Sequence, residues 1–200
     1  CTIGGANGGQ VEINNFRIPG CNFDLKDTTA TEDYVLTVDA NGQCGWEAAA
    51  GGGVSSDAQY NTVGGTNAGD SFTGTDATNN TLFGYNAGTA LTTGDKNVAI
   101  GSDALNVNTT GSENTSVGYQ AGYSGNDSYK TAVGFETAKG SGTGTSYGTT
   151  AFGRKALHAI TTGAHNCAVG NNSSKLITTG AYNTTLGNDS GAAISTGTNN

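Results

Sequence analysis

The sequence NTLFGYNAGTALTTGDK (80–96) continues directly into NVAIGSDALNVNTTGSE (97–113) and then into NTSVGYQAGYSGNDSYK (114–130). Three further copies of this phrase begin at residues 149, 166 and 183, and a degenerate copy, NTVGG, occupies 61–65. A glycine, here called the anchor glycine, follows the apolar residue of each copy: Gly84, Gly101, Gly118, Gly134, Gly153, Gly170 and Gly187. Counted from Gly65, the steps between them are 19, 17, 17, 16, 19, 17 and 17 residues. This short period predicts a stacked array of about eight copies.

Each copy has the apolar period of a strand. Val98 and Ile100 illustrate the pattern, in which a large apolar residue precedes the anchor glycine and a small or β-branched residue lies two places earlier. Residues two apart share a face of a strand, so we predict that these pairs point inward. The residue between them would then face outward: Ala99, Ser116, Ala132, Ala151, Ala168 and Thr185.

The second half of a copy has an apolar position of its own, which runs into Thr-Thr-Gly or Ser-Thr-Gly: Leu91, Ile160, Ile177 and Ile194. Two fixed glycines suit corners with positive φ, so we expect two short strands and two turns per copy. One copy buries too little apolar surface to offset its ordering entropy. The prediction is an all-β fold in which rungs of about 17 residues stack roughly 4.8 Å apart as a parallel β-roll or β-solenoid.

The predicted outward set is small and nearly uncharged, which allows another chain to approach closely. We therefore predict a homotrimer with closed symmetry. The alternative is a monomeric solenoid with a hydrated Thr- and Ala-rich face. The asparagines that open most copies are expected to cap turns and to form hydrogen-bonded ladders along the stack.

Copies such as NVAIGSDAL (97–105) and TTAFGRKAL (149–157) resemble the head repeats of trimeric autotransporter adhesins. The longer form closing in NTTG is similar to repeats of bacteriophage tail-fibre proteins. The resemblance covers about residues 61–200 and implies a parallel β-roll that trimerises. The chain departs from the pattern at four places: Lys130 and Thr149 replace the opening Asn, Gly64 replaces the apolar residue, and 138–148 carry a Gly/Ser/Thr-rich insertion.

The composition favours one kind of fold and argues against some classes of partner. The chain contains 34 Gly, one Pro and no Met, which favours a thin stacked structure over a conventional core. Its formal net charge of −8 argues against a nucleic-acid partner or an anionic membrane surface. The sequence has no apolar run of membrane-spanning length, so we expect no membrane insertion. The chain opens with Cys1 and closes at Asn200, where a next copy should begin, so we expect a piece of a longer protein.

Residues 1–53 are predicted to form a strand-and-hairpin connector module, and residues 54–200 to form the array. A strand is expected over 10–18, and Asn41-Gly42 predicts a two-residue hairpin turn within 34–48, a module that joins fibre segments. That turn would place Thr37 opposite Trp46 and Asp39 opposite Cys44. A Cys21–Cys44 disulfide fits the sequence but is not deducible from it. Cys167 has a predicted inward position and would be a buried free thiol.

One surface stripe is a candidate binding site. The residues directly after the anchor glycines include Tyr85, Ser102, Tyr119, Phe135 and Arg154. We favour the interpretation that these rings cover the backbone of a neighbouring chain. The alternative is that Tyr85, Tyr119 and Phe135 contact host-surface glycans.

The sequence contains no P-loop and no HExxH. Glycan hydrolysis would need a carboxylate pair, for which Glu136 with Asp127 or Asp103 is the candidate. His158, His165 and Cys167 are the candidate zinc ligands, although an ordinary surface pair of histidines explains them better. We predict no enzymatic activity, no cofactor and no metal.

The preferred hypothesis is a structural and adhesive segment of a virion tail fibre or surface adhesin, located on the virion or at the cell surface. It would partner with itself and with other fibre or virion proteins, and could contact host polysaccharide. The alternatives are a glycan-degrading spike and an ice-binding solenoid. The latter is suggested by a threonine at constant offset in the Thr-Thr-Gly phrases: Thr93, Thr110, Thr162, Thr179 and Thr196.

Overall fold

The computed structural model describes residues 54–72, 76–140 and 146–200 in full, together with the backbone strands at 17–18, 21–22, 34–38 and 44–48. The chain divides into two compact units, Cys1–Ala50 and Gly51–Asn200. All of the described secondary structure is β, with no helix.

The first unit contains two antiparallel pairs. Strands β1 (Arg17–Ile18) and β2 (Cys21–Asn22) pair with each other, and β3 (Tyr34–Val38) pairs with β4 (Cys44–Ala48). Within the second pair Leu36 lies opposite Trp46 and Val38 lies opposite Cys44. The predicted register is therefore wrong by one residue, because five residues separate the strands and a two-residue turn cannot connect them. Residues 39–43, residues 10–16 of the predicted first strand and the side chains of Cys21 and Cys44 lie outside the described residues.

The second unit is a β-solenoid of about seven turns, built on one nine-stranded sheet. Its strands are β5 (Val54–Ser56), β6 (Thr62–Gly64), β7 (Thr81–Phe83), β8 (Val98–Ile100), β9 (Thr115–Val117), β10 (Thr131–Val133), β11 (Thr150–Phe152), β12 (Cys167–Val169) and β13 (Thr184–Leu186). β5 pairs antiparallel with β6, and β6 to β13 follow one another in parallel and in register. The rungs lie about 17 residues apart in sequence, as predicted.

Each rung contributes one strand, not the predicted two. The second apolar position is buried at Leu91, Ile160 and Ile177, but it lies in turn backbone. This turn backbone is also hydrogen-bonded from rung to rung, as in the bonds from Leu105 N to Ala121 O and from Ala159 N to Lys175 O, each 3.1 Å long. Stacking therefore satisfies backbone groups in the turns as well as in the sheet.

The orientation of the strands is the reverse of the prediction. The middle residue of each strand faces the interior: Leu82, Ala99, Ser116, Ala132, Ala151 and Ala168 are fully buried, and Thr185 is 9% exposed. The large apolar residue before the anchor glycine faces solvent instead, with Ile100 and Phe152 each 42% exposed and Leu186 78% exposed. Cys167 lies on this outer side too and is only partly buried, so the prediction of an inward thiol is wrong.

The interior explains this orientation because it is one side chain thick. The middle residue of a strand packs against the residue six places later, across the roll. In some rungs a large residue on one side is matched by a small one on the other, as in Leu82 with Gly88 and Ala151 with Leu157, whereas Ala132 and Ala138 are small on both sides. A Cβ on Gly88 would lie 2.9 Å from Leu82 Cδ1. The large residue before the anchor glycine has no room inside and is left on the outer face.

The anchor glycines form a column along the stack. Gly118 has φ of +132°, and a Cβ built on it would lie 2.4 Å from the carbonyl oxygen of Gly134 in the next rung. No side chain fits in that gap, and few residues other than glycine adopt that φ. The glycines of the Thr-Thr-Gly phrases differ: Gly94 does not have positive φ, but its Cβ would meet Gly111 O at 2.2 Å. Close approach, and not the predicted positive φ, is the reason for this second glycine.

A column of buried asparagines lies parallel to the anchor glycines and confirms the predicted ladder. Asn97 Nδ2 donates to Asn80 Oδ1 and to Gly111 O, each at 3.0 Å. Asn97 Oδ1 accepts from Asn114 N at 3.1 Å and from Asn114 Nδ2 at 2.9 Å. All four hydrogen-bonding positions of the amide are therefore used. The same pattern recurs farther along the chain: Asn183 N and Nδ2 each donate to Asn166 Oδ1, at 3.0 Å.

The inward position of the middle strand residue can be tested at Ala151. Ala151→Leu should lower the free energy of unfolding by about 1–3 kcal/mol, because it overfills an interior that Leu157 already occupies. Its outward neighbour is the control: Thr150→Leu should change stability by only about 0.5 kcal/mol. Urea unfolding followed by circular dichroism, at matched oligomeric state, measures both. A larger loss for Thr150→Leu would contradict the orientation described above.

Candidate functional site

Two of the three aromatic residues predicted to contact glycans lie together. Tyr119 and Phe135, on neighbouring rungs, stack with ring centroids 5.3 Å apart and an interplanar angle of 24°. They remain 42% and 45% exposed, respectively. Tyr85 is exposed as well but is separated from Tyr119 by the rung that carries Ser102, a distance of roughly 10 Å along the stack. The described structure thus forms one aromatic surface from Tyr119 and Phe135, without Tyr85.

Basic side chains border this aromatic pair. The guanidinium carbon of Arg154 lies 5.9 Å from the centroid of the Phe135 ring, which continues the column by one rung. Lys139 Nζ lies 6.0 Å from the centroid of Tyr123. Both are cation–π distances. The sequence pattern places Arg154 in this stripe but not the lysines: Lys155 follows Arg154 directly, and Lys139 and Lys175 lie four residues after Phe135 and Asn171.

A single carboxylate lies among these cations. Glu136 Oε1 is 3.1 Å from Lys139 Nζ, and Glu136 Oε2 is 3.1 Å from Lys155 Nζ. Burial raises the pKa of Glu136, but the hydrogen bonds and positive charges of the two lysines outweigh it, so the pKa lies below its usual value. His158 Nε2 lies 3.9 Å from Glu136 Oε2. Burial lowers the pKa of His158, Glu136 raises it, and Lys139, Lys155 and Lys175 lower it; the result is below the ordinary value.

The predicted carboxylate pair is not formed. Asp127 is buried and forms an ion pair with the buried Lys130, and it also accepts a hydrogen bond from Ser146 N. Lys130 occupies the place of an asparagine in the ladder, where its backbone N donates to Asn114 Oδ1 at 3.0 Å. Asp103 instead accepts from Asn86 Nδ2 at 3.1 Å. Asp127 and Asp103 are thus held by partners of their own, away from Glu136.

The candidate zinc ligands do not form a cluster either. His165 stacks on Tyr182, with ring centroids 5.0 Å apart, whereas His158 lies beside Glu136. Among the described residues, no three His, Cys, Asp or Glu side chains are grouped as metal ligands would be.

The outer surface of the sheet is a second candidate surface, and the sequence pattern did not predict it. We call it the strand face. It consists of the first and last residues of the parallel strands. The last residues are Phe83, Ile100, Val117, Val133, Phe152, Val169 and Leu186, and the first are mostly threonine. All of these side chains are half-buried or exposed, so an apolar column lies beside a hydroxyl-bearing one. An exposed apolar surface of this kind is a candidate interaction site.

No protein-family model matches the chain, and no curated protein or solved structure shows significant similarity to it. In the described residues, no helix is available to cross a membrane.

The buried ion pair can be tested by removing one or both charges. Lys130→Met should lower the free energy of unfolding by about 3–5 kcal/mol, because Asp127 is left buried without its counter-ion. The double variant Asp127→Asn/Lys130→Met keeps an acceptor for Ser146 N and should recover most of that loss. Chemical denaturation of both variants measures the difference. A double variant no more stable than the single one would show that charge pairing is not the cause.

The pKa of His158 reports its burial and the charges around it. Its titration by NMR should give a pKa below the ordinary value, lower again in Glu136→Gln and higher in Lys175→Gln, whereas Lys96→Gln should have no effect. Because folding depresses this pKa, the stability that neutral His158 contributes is present above the unfolded-state pKa and is lost as the pH falls through the folded one. An unchanged His158 pKa in Lys175→Gln would show that Lys175 does not act on His158.

Proposed function

We propose that this chain is a structural and adhesive segment of a fibre, either a virion tail fibre or a surface adhesin, whose β-solenoid assembles as a homotrimer. The segment would hold a host-binding tip away from the particle or cell, or would contact host-surface glycans itself. The observation that carries this proposal is the apolar strand face, on which Ile100, Phe152 and Leu186 remain exposed in the single chain.

The strand face supports self-association better than the small residues on which the sequence prediction relied, because those residues are buried. The apolar column occupies the seven strands β7 to β13, which at about 4.8 Å per rung extend over roughly 29 Å. An identical column on each sister chain offers a matching apolar surface, and closed rotation about the rod axis buries all the columns together. Other fibre or virion proteins would then join the ends of the rod, and the assembly would function on the virion or at the cell surface.

A hydrolytic role fits the described residues less well. An inverting or retaining glycosidase needs one carboxylic acid with a raised pKa beside a second carboxylate. Lys139 and Lys155 lower the pKa of Glu136, and Asp127 is buried with Lys130. We therefore propose a non-enzymatic role.

Ice binding remains the second candidate, and one observation favours it. The first residue of most parallel strands is threonine, as at Thr115, Thr131 and Thr150, so the outer side of the sheet carries a regular column of threonines. The last residue of these strands is large and apolar, whereas an ice-binding surface would be expected to carry a second threonine there. Thermal hysteresis of the purified chain tests the idea directly, and an ice-growth rate equal to that of buffer would exclude it.

Solution mass tests the trimer. Sedimentation equilibrium should give about three times the chain mass of 19.9 kDa. Ile100→Ser/Phe152→Ser should shift the equilibrium to monomers, because it removes apolar surface from the strand face. Val107→Ser/Leu176→Ser is the matched control: these two residues are 36% and 53% exposed but lie outside the strands, so the mass should not change. A monomeric wild-type chain, or dissociation only in the control, would overturn the proposal.

A further inference from the structure

Positive charge is concentrated on one part of an acidic chain. The formal net charge is −8, yet no Asp or Glu occurs between Glu136 and Asp189. Four of the eight Lys and Arg residues fall on three consecutive rungs there: Lys139, Arg154, Lys155 and Lys175. Elsewhere in the described residues, Lys96 is paired with Glu113 and Lys130 is buried with Asp127.

The rungs place these four side chains on the part of the stack that carries Phe135. Lys155 N donates to Phe135 O at 2.9 Å, and Ala159 N donates to Lys175 O at 3.1 Å, which fixes the rungs of 135, 154 and 175 as neighbours. Glu136 is the one carboxylate among them and is shared by Lys139 and Lys155. Arg154 and Lys175 form no ion pair with any described residue. These rungs therefore keep uncompensated positive charge, and Arg154 brings it against the Phe135 ring.

We propose that Tyr119, Phe135, Lys139, Arg154, Lys155 and Lys175 form a binding site for an acidic polysaccharide, one whose sugar rings carry carboxylates. This inference rests on the proposed adhesive function and specifies the class of glycan. We call these six residues the acidic-glycan patch.

The two halves of the patch recognise different parts of such a ligand. Tyr119 and Phe135 stay 42% and 45% exposed and offer apolar ring surface against which the C–H groups of a sugar can pack. Arg154 and Lys175 can donate charge-assisted hydrogen bonds to carboxylates, and the guanidinium of Arg154 can donate two parallel ones to a single carboxylate. Tyr119, Phe135 and Arg154 lie on successive rungs roughly 4.8 Å apart, so a linear polymer lying along the stack meets them in series.

The chemistry favours a polysaccharide over a nucleic acid. Nucleic-acid binding depends on neutralising many phosphates, and the rest of this chain is strongly acidic and would repel a long polyanion of that charge density. An acidic glycan has fewer charges per unit length and apolar ring faces that match the aromatic pair. Its binding should weaken as salt rises, because the charges of the patch are at the surface.

The test compares one polymer with and without its charge. The purified full chain is titrated with polygalacturonate and with its methyl ester, and alginate, hyaluronate and a poly-dT oligonucleotide complete the panel. At low salt, at least one acidic polysaccharide should bind at least tenfold more tightly than the neutral ester. Lys175→Gln and Phe135→Ala should each weaken that binding severalfold or more. The matched controls Lys96→Gln and Tyr85→Ala should leave it unchanged.

Three results would overturn the patch: equal binding of acid and ester, tighter binding of poly-dT than of any acidic polysaccharide, or full affinity in both Lys175→Gln and Phe135→Ala. Solution mass, measured on the same samples, keeps this test separate from the fibre proposal. A trimer that binds no acidic polysaccharide contradicts the patch alone, whereas a monomer contradicts the trimeric fibre whatever it binds. If Phe135→Ala lowers the mass instead of the affinity, the ring covers a sister chain and the patch is wrong.

Discussion

The buried asparagine column is the interaction on which the array depends. Where asparagines follow one another, as at Asn97, the amide bonds to the rung before it, to the rung after it and to a carbonyl of its own rung. A polar group at that depth costs free energy unless its donors and acceptors are satisfied, and the residue one rung away supplies the missing partner. Where Lys130 interrupts the column, its backbone N still donates to Asn114 Oδ1 at 3.0 Å. The ladder thus links the stability of a rung to the presence of its neighbours, which is the behaviour of a one-dimensional array. At the start of the array Asp57 takes the place of the missing neighbour, with Oδ2 accepting from Asn61 Nδ2 at 2.9 Å.

Close stacking then determines how the side chains divide between inside and outside. The anchor glycines bring the rungs so near that a Cβ on Gly84 would lie 2.5 Å from Gly101 O. The roll that results is narrow: Leu82 fills it from the strand, whereas Leu105 and Leu157 fill it from the turn. Leu91, Ile160 and Ile177 fill the second half of their rungs. Because side chains alternate along a strand, the residues on either side of the buried middle one lie on the outer face, and these include the large apolar residue before each anchor glycine.

The period, the parallel stack, the anchor positions and the asparagine ladder could be predicted from the sequence, because each depends on a residue that recurs at a fixed step. The orientation of the strands could not be predicted from the period alone. Alternation tells which residues share a face but not which face is inside, and the usual assumption that the larger residues lie inside fails in a narrow roll. One signal did exist: Leu82 with Gly88, Ala99 with Leu105 and Ala151 with Leu157 compensate in size at a constant separation of six residues.

The ion pair of Asp127 and Lys130 was harder to foresee. In the sequence, Lys130 is a departure from the opening asparagine and Asp127 is a candidate partner of Glu136. Their separation of three residues has no special meaning in β and turn backbone. They meet because both belong to columns at the interior: Asp127 O accepts from Asn114 Nδ2 at 2.7 Å, as Gly111 O does from Asn97, and Lys130 takes the next asparagine position.

A repeat array separates the residues that build it from the residues that can vary. Glycine and asparagine columns must be nearly uniform, since each rung is shaped by the next. The columns after the anchor glycines have no such constraint, and they change from Tyr119 and Phe135 to Arg154 and Asn171 without disturbing the register of the strands. Surface chemistry along the rod is therefore set by departures from the repeat and not by the repeat itself. The absence of acidic residues between Glu136 and Asp189 is such a departure, and the strands of the three rungs that it spans keep the parallel register of the array. The stack permits that charge distribution without requiring it, and the acidic-glycan binding proposed above would account for it.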